Sequence, residues 1–158
     1  MTTGSIYGRH LDEMNAVMQY LLECIECGSA IIRKKTGMEP VEHLKSRIKS
    51  EQSMREKCRR TGLPETEESA LYHLHDAIGI RVICSFLDDV YAVRDYLASL
   101  KSIEVIQIKD YIREVKPNGY RSCNMIVRTR GYYAEIQIRT ISMDTWAALE
   151  HHIRYKKI

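Results

Sequence analysis

No stretch of this sequence approaches the run of about 18 apolar residues that a membrane-spanning helix requires. The first ten residues, MTTGSIYGRH, contain no apolar run of the kind found in signal peptides, so we expect a cytoplasmic protein with no membrane partner. Collagen-like Gly-X-Y repeats and heptad repeats are also missing. The sequence therefore has the character of an ordinary globular domain.

Charge of one sign is not in large excess either. The chain has 24 Lys and Arg residues against 21 Asp and Glu residues, which gives a formal net charge of +3. This balance allows an RNA partner but does not predict one, so only the local distribution of charge is informative. With 158 residues, of which 44% are hydrophobic, we expect residues 1–158 to form a single domain around one core.

The five cysteines do not indicate disulfide bonds, because their number is odd and no secretion signal is present. Cys24 and Cys27 form a CxxC pair, but no second CxxC accompanies them. We therefore interpret the pair as two buried thiols of a helix and not as half of a metal site.

The spacing of apolar residues predicts a long N-terminal helix over about residues 8–35, with Leu11, Met14 and Met18 on one face. Residues 41–50 form a basic segment to which no helix or strand is assigned. The other predicted helices cover about residues 50–61, 65–74, 89–100 and 143–155, and the predicted strands cover 78–86, 103–108, 120–130 and 132–140. This order predicts an α+β fold with a mixed β-sheet flanked by helices.

Four common site motifs are absent: GxxxxGK(S/T), GxGxxG after a strand, HExxH and GxSxG. The informative features are local groups of charged side chains. Between Lys45 and Arg60 there are seven cations and only two acidic residues. Ser53, Lys57 and Arg60 fall on one face of the predicted helix, where they would form a cradle for phosphate oxygens. A solvated basic helix would have the same composition.

Two candidate carboxylates stand out beside predicted strands. Asp76 precedes an apolar strand and is suited to hold Mg²⁺, although a turn Asp would occupy the same position. In the run Glu135-Ile-Gln-Ile-Arg139 the isoleucines face the core, so Glu135, Gln137 and Arg139 line the opposite face. This row is either an exposed edge or, together with Asp76, part of a two-carboxylate metal site for phosphoryl transfer.

A further cluster sets tyrosines among cations beside a tight turn, in Lys109-Asp-Tyr and in Lys116-Pro-Asn-Gly-Tyr-Arg-Ser122. A tyrosine offers a flat face for a base, Asn118 can contact a base edge, and lysine or arginine can hold phosphate. The Asn-Gly pair alone predicts only a turn. The combination favours a nucleotide site.

Taken in order, these motifs resemble those of the RelA/SpoT-type alarmone synthetases, and in particular the small single-domain members. The resemblance extends from about residue 41 to residue 157. It rests on five runs, which are Asp76-Ala-Ile-Gly-Ile-Arg81, Lys109-Asp-Tyr-Ile112, Lys116-Pro-Asn-Gly-Tyr-Arg-Ser122, Glu135-Ile-Gln-Ile-Arg-Thr140 and Trp146-Ala-Ala-Leu-Glu-His151. It implies a nucleotidyltransferase-like synthetase fold.

The resemblance also implies an activity: a GTP/GDP 3′-pyrophosphokinase that moves the β,γ-pyrophosphate of ATP to the 3′-hydroxyl of GDP or GTP, giving (p)ppGpp and AMP. Mg²⁺ is the implied cofactor, held by Asp76 and Glu135, with Glu135 also activating the hydroxyl. The implied ATP contacts are Arg47 and Arg81 around the adenine, and Lys49, Ser53, Lys57 and Arg60 at the phosphates. The implied acceptor contacts are Tyr120, stacked on guanine, with Lys109, Lys116, Asn118, Asn124, Gln137 and Arg139.

Asn124 stands where the family usually has histidine, so the acceptor stays open. Related pyrophosphokinases act on tRNA 3′ ends or on adenosine nucleotides, and a non-catalytic nucleotide- or RNA-binding relative is a further alternative. Small synthetases commonly continue into C-terminal helices used in tetramer assembly. We expect those helices to be absent here, which leaves a homo-oligomer open.

Overall fold

The computed structural model describes the backbone of residues 5–156 and the side chains of residues 5–152. The chain forms four α-helices and five β-strands within these residues. In chain order they are α1 (Leu11–Thr36), β1 (Val41–Ile48), α2 (Glu51–Arg60), β2 (Ile78–Cys84), α3 (Leu87–Ser99), β3 (Glu104–Asp110), β4 (Cys123–Thr129), β5 (Tyr132–Thr140) and α4 (Ile141–Lys156). A single π-helical turn, Ser69–His73, lies between α2 and β2.

The five strands form one sheet in the order β1-β2-β5-β4-β3. Strands β2 and β5 run parallel, and every other neighbouring pair is antiparallel. The sheet is therefore mixed, and the predicted α+β class is confirmed.

One face of the sheet is apolar and is covered by α1 and α3. Ile80 on β2 and Ile136 and Ile138 on β5 are at most 3% exposed, and they meet the buried side chains of α1 such as Leu21 and Ile25. Because side chains alternate along a strand, the residues between these isoleucines must project from the other face. That second face carries the polar residues of the predicted site.

Strand β1 was not predicted. It occupies the basic segment 41–50 and pairs antiparallel with β2, with Lys45 opposite Arg81. The strand lies at the edge of the sheet, and five of its eight residues are exposed, so polar side chains occupy most of its positions. Only Val41, Leu44 and Ile48 are half-buried, a spacing of three and four that does not show strand alternation.

Other differences from the sequence-based prediction are smaller. The predicted helix at 65–74 is reduced to the π-helical turn, and β4 begins at Cys123 and not at residue 120. The cysteines are free thiols, as predicted, but Cys27 is exposed, so burial of both CxxC thiols was wrong. Among residues 5–156, no helix combines the length and apolar character needed to cross a bilayer.

Candidate active site

A row of five polar residues crosses the whole sheet on the face opposite α1 and α3. The strand registers align them in the order Lys45, Arg81, Gln137, Asn124 and Lys109. Paired residues on neighbouring strands project from the same face of a sheet. Four of the five are predicted site residues that come from separate sequence motifs, and the fold brings them into one line.

Two residues away along the strands lies a second row, in which Arg47 pairs with Gly79 and Gly79 pairs with Glu135. A cleft of about 280 Å³ opens above both rows, and its lining includes Arg47, Arg81, Asp76 and Glu135. Gly79 has no side chain to fill this space, so the floor of the cleft is open between Arg47 and Glu135.

Asp76 stands at the mouth of β2 and is held from one side by two lysines. Its Oδ2 atom accepts a hydrogen bond of 2.7 Å from Lys57 Nζ and lies 3.2 Å from Lys49 Nζ. Its Oδ1 atom is buried and has no hydrogen-bond partner in the structure. A buried, unpaired carboxylate oxygen is costly, which indicates that a ligand belongs there.

The pKa values of the two carboxyl groups are displaced in opposite directions. Burial raises the pKa of Asp76, but the hydrogen bond and positive charge of Lys57, with the charge of Lys49, outweigh it and hold that pKa below its usual value. Burial also raises the pKa of Glu135, and the negative charge of Asp76 raises it further. Lys57 and a 3.3 Å hydrogen bond from Gln137 offset this only in part. Such divergence favours the ionised form of Asp76 and makes Glu135 the more basic of the two carboxylates.

These two carboxylates fit a hard divalent cation. Both line the same cleft, both offer oxygen donors, and one oxygen of Asp76 has no hydrogen-bond partner among the described residues. Magnesium is commonly bound by one or two carboxylates plus substrate phosphates and water. Among the described residues, no group of three or more His, Cys, Asp or Glu side chains could hold a metal ion by itself.

Helix α2 presents only part of its predicted basic stripe to this site. Ser50 caps the helix by accepting a hydrogen bond from the Ser53 N–H at 3.2 Å. Lys57 turns inward to Asp76, whereas the side chains of Ser53 and Arg60 are exposed and do not line the cleft. The stripe is therefore split between the carboxylate and solvent.

A second cavity of about 660 Å³ adjoins the first and shares Lys45, Arg81 and Gln137 with it. Its own lining includes Tyr120 and Trp146. Because three residues belong to both cavities, a ligand in one lies next to a ligand in the other. The arrangement suits two substrates that meet over the row containing Gln137.

Tyr120 lies among cations in this second cavity. Lys116 Nζ is 5.8 Å from the centre of the Tyr120 ring and 4.7 Å from that of Tyr111, and the Arg139 guanidinium carbon is 5.9 Å from the Tyr120 ring. The Tyr120 hydroxyl donates a 3.4 Å hydrogen bond to Asn124 Oδ1. These contacts orient the ring toward the cavity.

The turn before Tyr120 is held by its own side chain and by a close contact. Asn118 Oδ1 accepts a 3.0 Å hydrogen bond from the Tyr120 N–H, and Gly119 has a φ of 90°. A β-carbon at Gly119 would approach Trp146 to 2.8 Å, so only glycine lets the turn pack against α4. Asn118 therefore shapes the cavity as well as lining it.

Arg139 is only 3% exposed, and its guanidinium donates to Asp144 at 3.1 Å. Burial and the charge of Arg81 lower the Arg139 pKa, and Tyr120 and Asp144 oppose that shift. Arg81 lies 3.6 Å from the same Asp144 oxygen. Sequence reasoning missed Asp144; its signal was an acidic residue in the first turn of a helix that directly follows a strand carrying arginine.

Not every predicted site residue lies in a cavity. Lys109 belongs to the cross-sheet row but is exposed on edge strand β3 and lines neither cavity. Lys116 lies over two tyrosine rings and also lines neither. Lys45, which sequence reasoning did not select, lines both.

The chain is similar to known proteins in both sequence and fold. A family model described as "Region found in RelA / SpoT proteins" matches residues 46–158. The GTP pyrophosphokinase YwaC of Bacillus subtilis strain 168 is 38% identical over 93% of this chain and 80% of its own length. The GTP pyrophosphokinase YjbM of the same organism is 36% identical over 74% of this chain, but the match covers only 58% of YjbM.

Among solved structures, small alarmone synthetase 1 from Bacillus subtilis, bound to its product pppGpp, matches with a TM-score of 0.79 and 30% identity. The match covers 94% of this chain and 79% of that one. The shared fold therefore extends over nearly all of the described residues.

Proposed function

Because the chain belongs to the RelA/SpoT family, we propose that it is a GTP/GDP 3′-pyrophosphokinase, which transfers the β,γ-pyrophosphate of ATP to the 3′-hydroxyl of GDP or GTP. The products are AMP and (p)ppGpp. The family resemblance predicted from the sequence is confirmed, and two relatives carry the name GTP pyrophosphokinase. The observation that carries the proposal is the pair of carboxyl groups, Asp76 and Glu135, facing one cleft beside arginines.

We assign ATP to the smaller cleft. Arg47 and Arg81 project from neighbouring strands on the same face, so a flat base fits between their guanidinium groups. The phosphates then extend toward Asp76, where Lys49 and Lys57 supply positive charge. Ser53 and Arg60, exposed on α2, are available to the same phosphates from solvent.

Asp76 and Glu135 are the residues that would hold Mg²⁺, and the unpaired Oδ1 atom of Asp76 supports this role. When bound, the ion neutralises charge on the transferred phosphates. Pyrophosphoryl transfer depends mainly on positioning and electrostatic stabilisation, and less on covalent help from the protein. A cleft lined by fixed cations and carboxylates provides both.

Glu135 is the candidate general base. Its raised pKa brings a carboxylate closer to the basicity needed to accept the proton of a ribose hydroxyl. The 3′-oxygen forms a bond to the β-phosphorus of ATP, the bond from that phosphorus to the α-phosphate oxygen breaks, and AMP leaves. Gln137, which donates to Glu135 at 3.3 Å, holds the carboxylate in place.

The acceptor occupies the larger cavity. Tyr120 offers its ring to guanine, and Asn118 and Asn124 lie beside it as hydrogen-bonding groups. Arg139, buried and charged, faces the acceptor phosphates or ribose from the floor. Lys109 and Lys116 lie further out, where they attract an anionic substrate.

The experiment that tests the proposal incubates the purified chain with Mg²⁺ and ATP labelled in its β- or γ-phosphate. GDP, GTP, ADP and bulk tRNA are offered separately as acceptors. We expect label on GDP or GTP together with stoichiometric AMP. Label on tRNA or ADP alone would assign a different acceptor to the site, and no transfer to any of them would contradict an enzymatic role.

A further inference from the structure

Lys49 and Lys57 both contact the same carboxylate oxygen of Asp76, at 3.2 Å and 2.7 Å. The three side chains are largely buried, with 15%, 26% and 17% of their surfaces exposed. Two positive charges therefore converge on one negative charge in a partly desolvated place. The other Asp76 oxygen, Oδ1, has no hydrogen-bond partner within the part of the chain that the structure describes.

The backbone around these groups is fixed. The Lys49 N–H donates to the Ala77 carbonyl at 2.8 Å, and the Lys49 carbonyl accepts a 2.6 Å hydrogen bond from the buried Tyr7 hydroxyl. Lys57 lies on α2, which is anchored by the fully buried Met54 and Cys58. Rearrangement at the site is therefore left to the flexible side-chain ends of the two lysines.

This geometry opposes a divalent ion that arrives alone. An ion at Oδ1 would lie next to two ammonium groups, and their repulsion weakens its binding. A nucleotide changes the balance, because its phosphates bring several negative charges to which the ammonium groups can turn. Glu135, which lines the same cleft and accepts a hydrogen bond from Gln137, offers the second oxygen donor.

We propose that Lys49 and Lys57 are exchangeable counter-charges of Asp76: they hinder metal binding in the free protein and pass to the phosphates when nucleotide enters. Metal and nucleotide then bind cooperatively, each strengthening the other. This inference rests on the proposed function only for the identity of the nucleotide.

The test measures binding of Mn²⁺, as a paramagnetic stand-in for Mg²⁺, by loss of the free-ion electron paramagnetic resonance signal without nucleotide. Lys57→Gln removes one counter-charge, and we expect Mn²⁺ affinity to rise by about tenfold, the effect of one nearby charge. Arg59→Gln is the matched control, since it removes one charge from the same helix but Arg59 pairs with Glu65. Its Mn²⁺ affinity should stay within about twofold of the unmodified protein.

Two further measurements separate charge from damage. Lys57→Arg keeps the charge and should retain the weak Mn²⁺ binding, and thermal unfolding shows whether each variant is folded. A saturating non-hydrolysable ATP analogue should strengthen Mn²⁺ binding more in the unmodified protein than in Lys57→Gln. The proposed exchange of the lysines would be overturned if folded Lys57→Gln bound Mn²⁺ no more tightly than the unmodified protein. It would also be overturned if Lys57→Gln and Arg59→Gln raised the Mn²⁺ affinity equally.

These outcomes are independent of product formation. If the chain makes (p)ppGpp but Lys57→Gln leaves the Mn²⁺ affinity unchanged, the proposed function stands and the proposed lysine exchange is wrong. If the Mn²⁺ affinity changes as predicted but the chain transfers no label, the proposed lysine exchange stands and the proposed function is wrong.

Discussion

The carboxyl groups of Asp76 and Glu135 face one cleft, and the negative charge of the first raises the pKa of the second. The residues are 59 positions apart in the sequence, and the parallel pairing of β2 with β5 brings their segments together, with Gly79 opposite Glu135. The lysines that hold the pKa of Asp76 down also lower that of Glu135, but there they offset burial and the charge of Asp76 only in part. The chemistry proposed for this chain depends on that asymmetry.

The Tyr120 ring is expected to act on the acceptor and not on ATP. Tyr120→Ala should raise the KM for GDP by roughly tenfold or more, since stacking on one base is worth about 1–3 kcal/mol, while the KM for ATP changes little. Tyr120→Phe is the matched control, because it keeps the ring and loses only the 3.4 Å bond to Asn124. Initial rates with each substrate varied in turn provide the measurement. Equal losses in Tyr120→Ala and Tyr120→Phe would contradict stacking.

We expect ATP binding to depend on the absence of a side chain at Gly79. A β-carbon there would meet its nearest atom, the Arg47 carbonyl oxygen, at 3.9 Å, so the fold tolerates a side chain. The Gly79→Leu variant should fold normally but bind an ATP analogue at least about tenfold more weakly, because the added carbons occupy the cleft. The Gly79→Ala variant should lose less affinity for the analogue. Calorimetric titration measures the affinity of the three proteins for the analogue. If Gly79→Leu binds it as tightly as the unmodified protein, the assignment of ATP to this cleft is wrong.

Tyr7 is expected to support the site from behind. Its hydroxyl bonds to the Lys49 carbonyl, whereas the hydroxyl of the similarly buried Tyr132 contacts His10 and Glu13, away from the cleft. Tyr7→Phe and Tyr132→Phe should each lower the free energy of unfolding by about 1 kcal/mol. Urea unfolding measures this, and only Tyr7→Phe should also lower kcat. If the two variants have a similar kcat, Tyr7 contributes to the stability of the fold and does not support the site.

Glu39 is expected to make stability depend on pH. Hydrogen bonds from Ser29 and Arg33 lower its pKa below the usual value, more than desolvation raises it. A carboxylate with a lowered pKa stabilises the fold above its unfolded pKa and loses this effect as the pH falls through its folded pKa. Glu39→Gln should therefore lower Tm at about pH 7 and lower it progressively less as the pH falls toward about 2. A Tm difference that stays constant across this range would contradict the assignment.

The central strands could be predicted from the sequence, and the edge could not. The pattern in residues 132–140 and the apolar run at 78–86 predicted β5 and β2, and the alternation placed Glu135, Gln137 and Arg139 on one face. These strands are buried on at least one face, so their patterns reflect the core. Strand β1 lies at the edge of the sheet and shows no alternation of buried and exposed residues, so its strand conformation depends on pairing with β2, which no local pattern encodes.

The members of the site were more predictable than their partners. Asp76 and Glu135 were selected from chemistry and position, but the bond between Lys57 and Asp76 joins segments 19 residues apart across a turn whose path is not evident from the sequence. Lys57 was predicted to contact phosphate, and nothing in the sequence indicated that its ammonium group would also contact the Asp76 carboxylate. Asp144 was missed because its role arises only when α4 folds back over Arg81 and Arg139.

Glu135 is the residue on which the proposed chemistry depends most directly. Glutamine keeps the size and polarity of the side chain but cannot accept the hydroxyl proton or carry negative charge to a metal ion. We expect Glu135→Gln to remain folded and to lose transfer by at least about 100-fold, the usual contribution of a general base. Glu104→Gln, a matched change at an exposed position on β3 that lines neither cavity, should retain the parent rate.

The decisive measurement is the initial rate at which label passes from ATP to GDP in these three proteins at saturating Mg²⁺. The account predicts label on GDP for the unmodified chain and for Glu104→Gln, and almost none for folded Glu135→Gln. A Glu135→Gln protein that forms AMP and labelled product at the parent rate would contradict it.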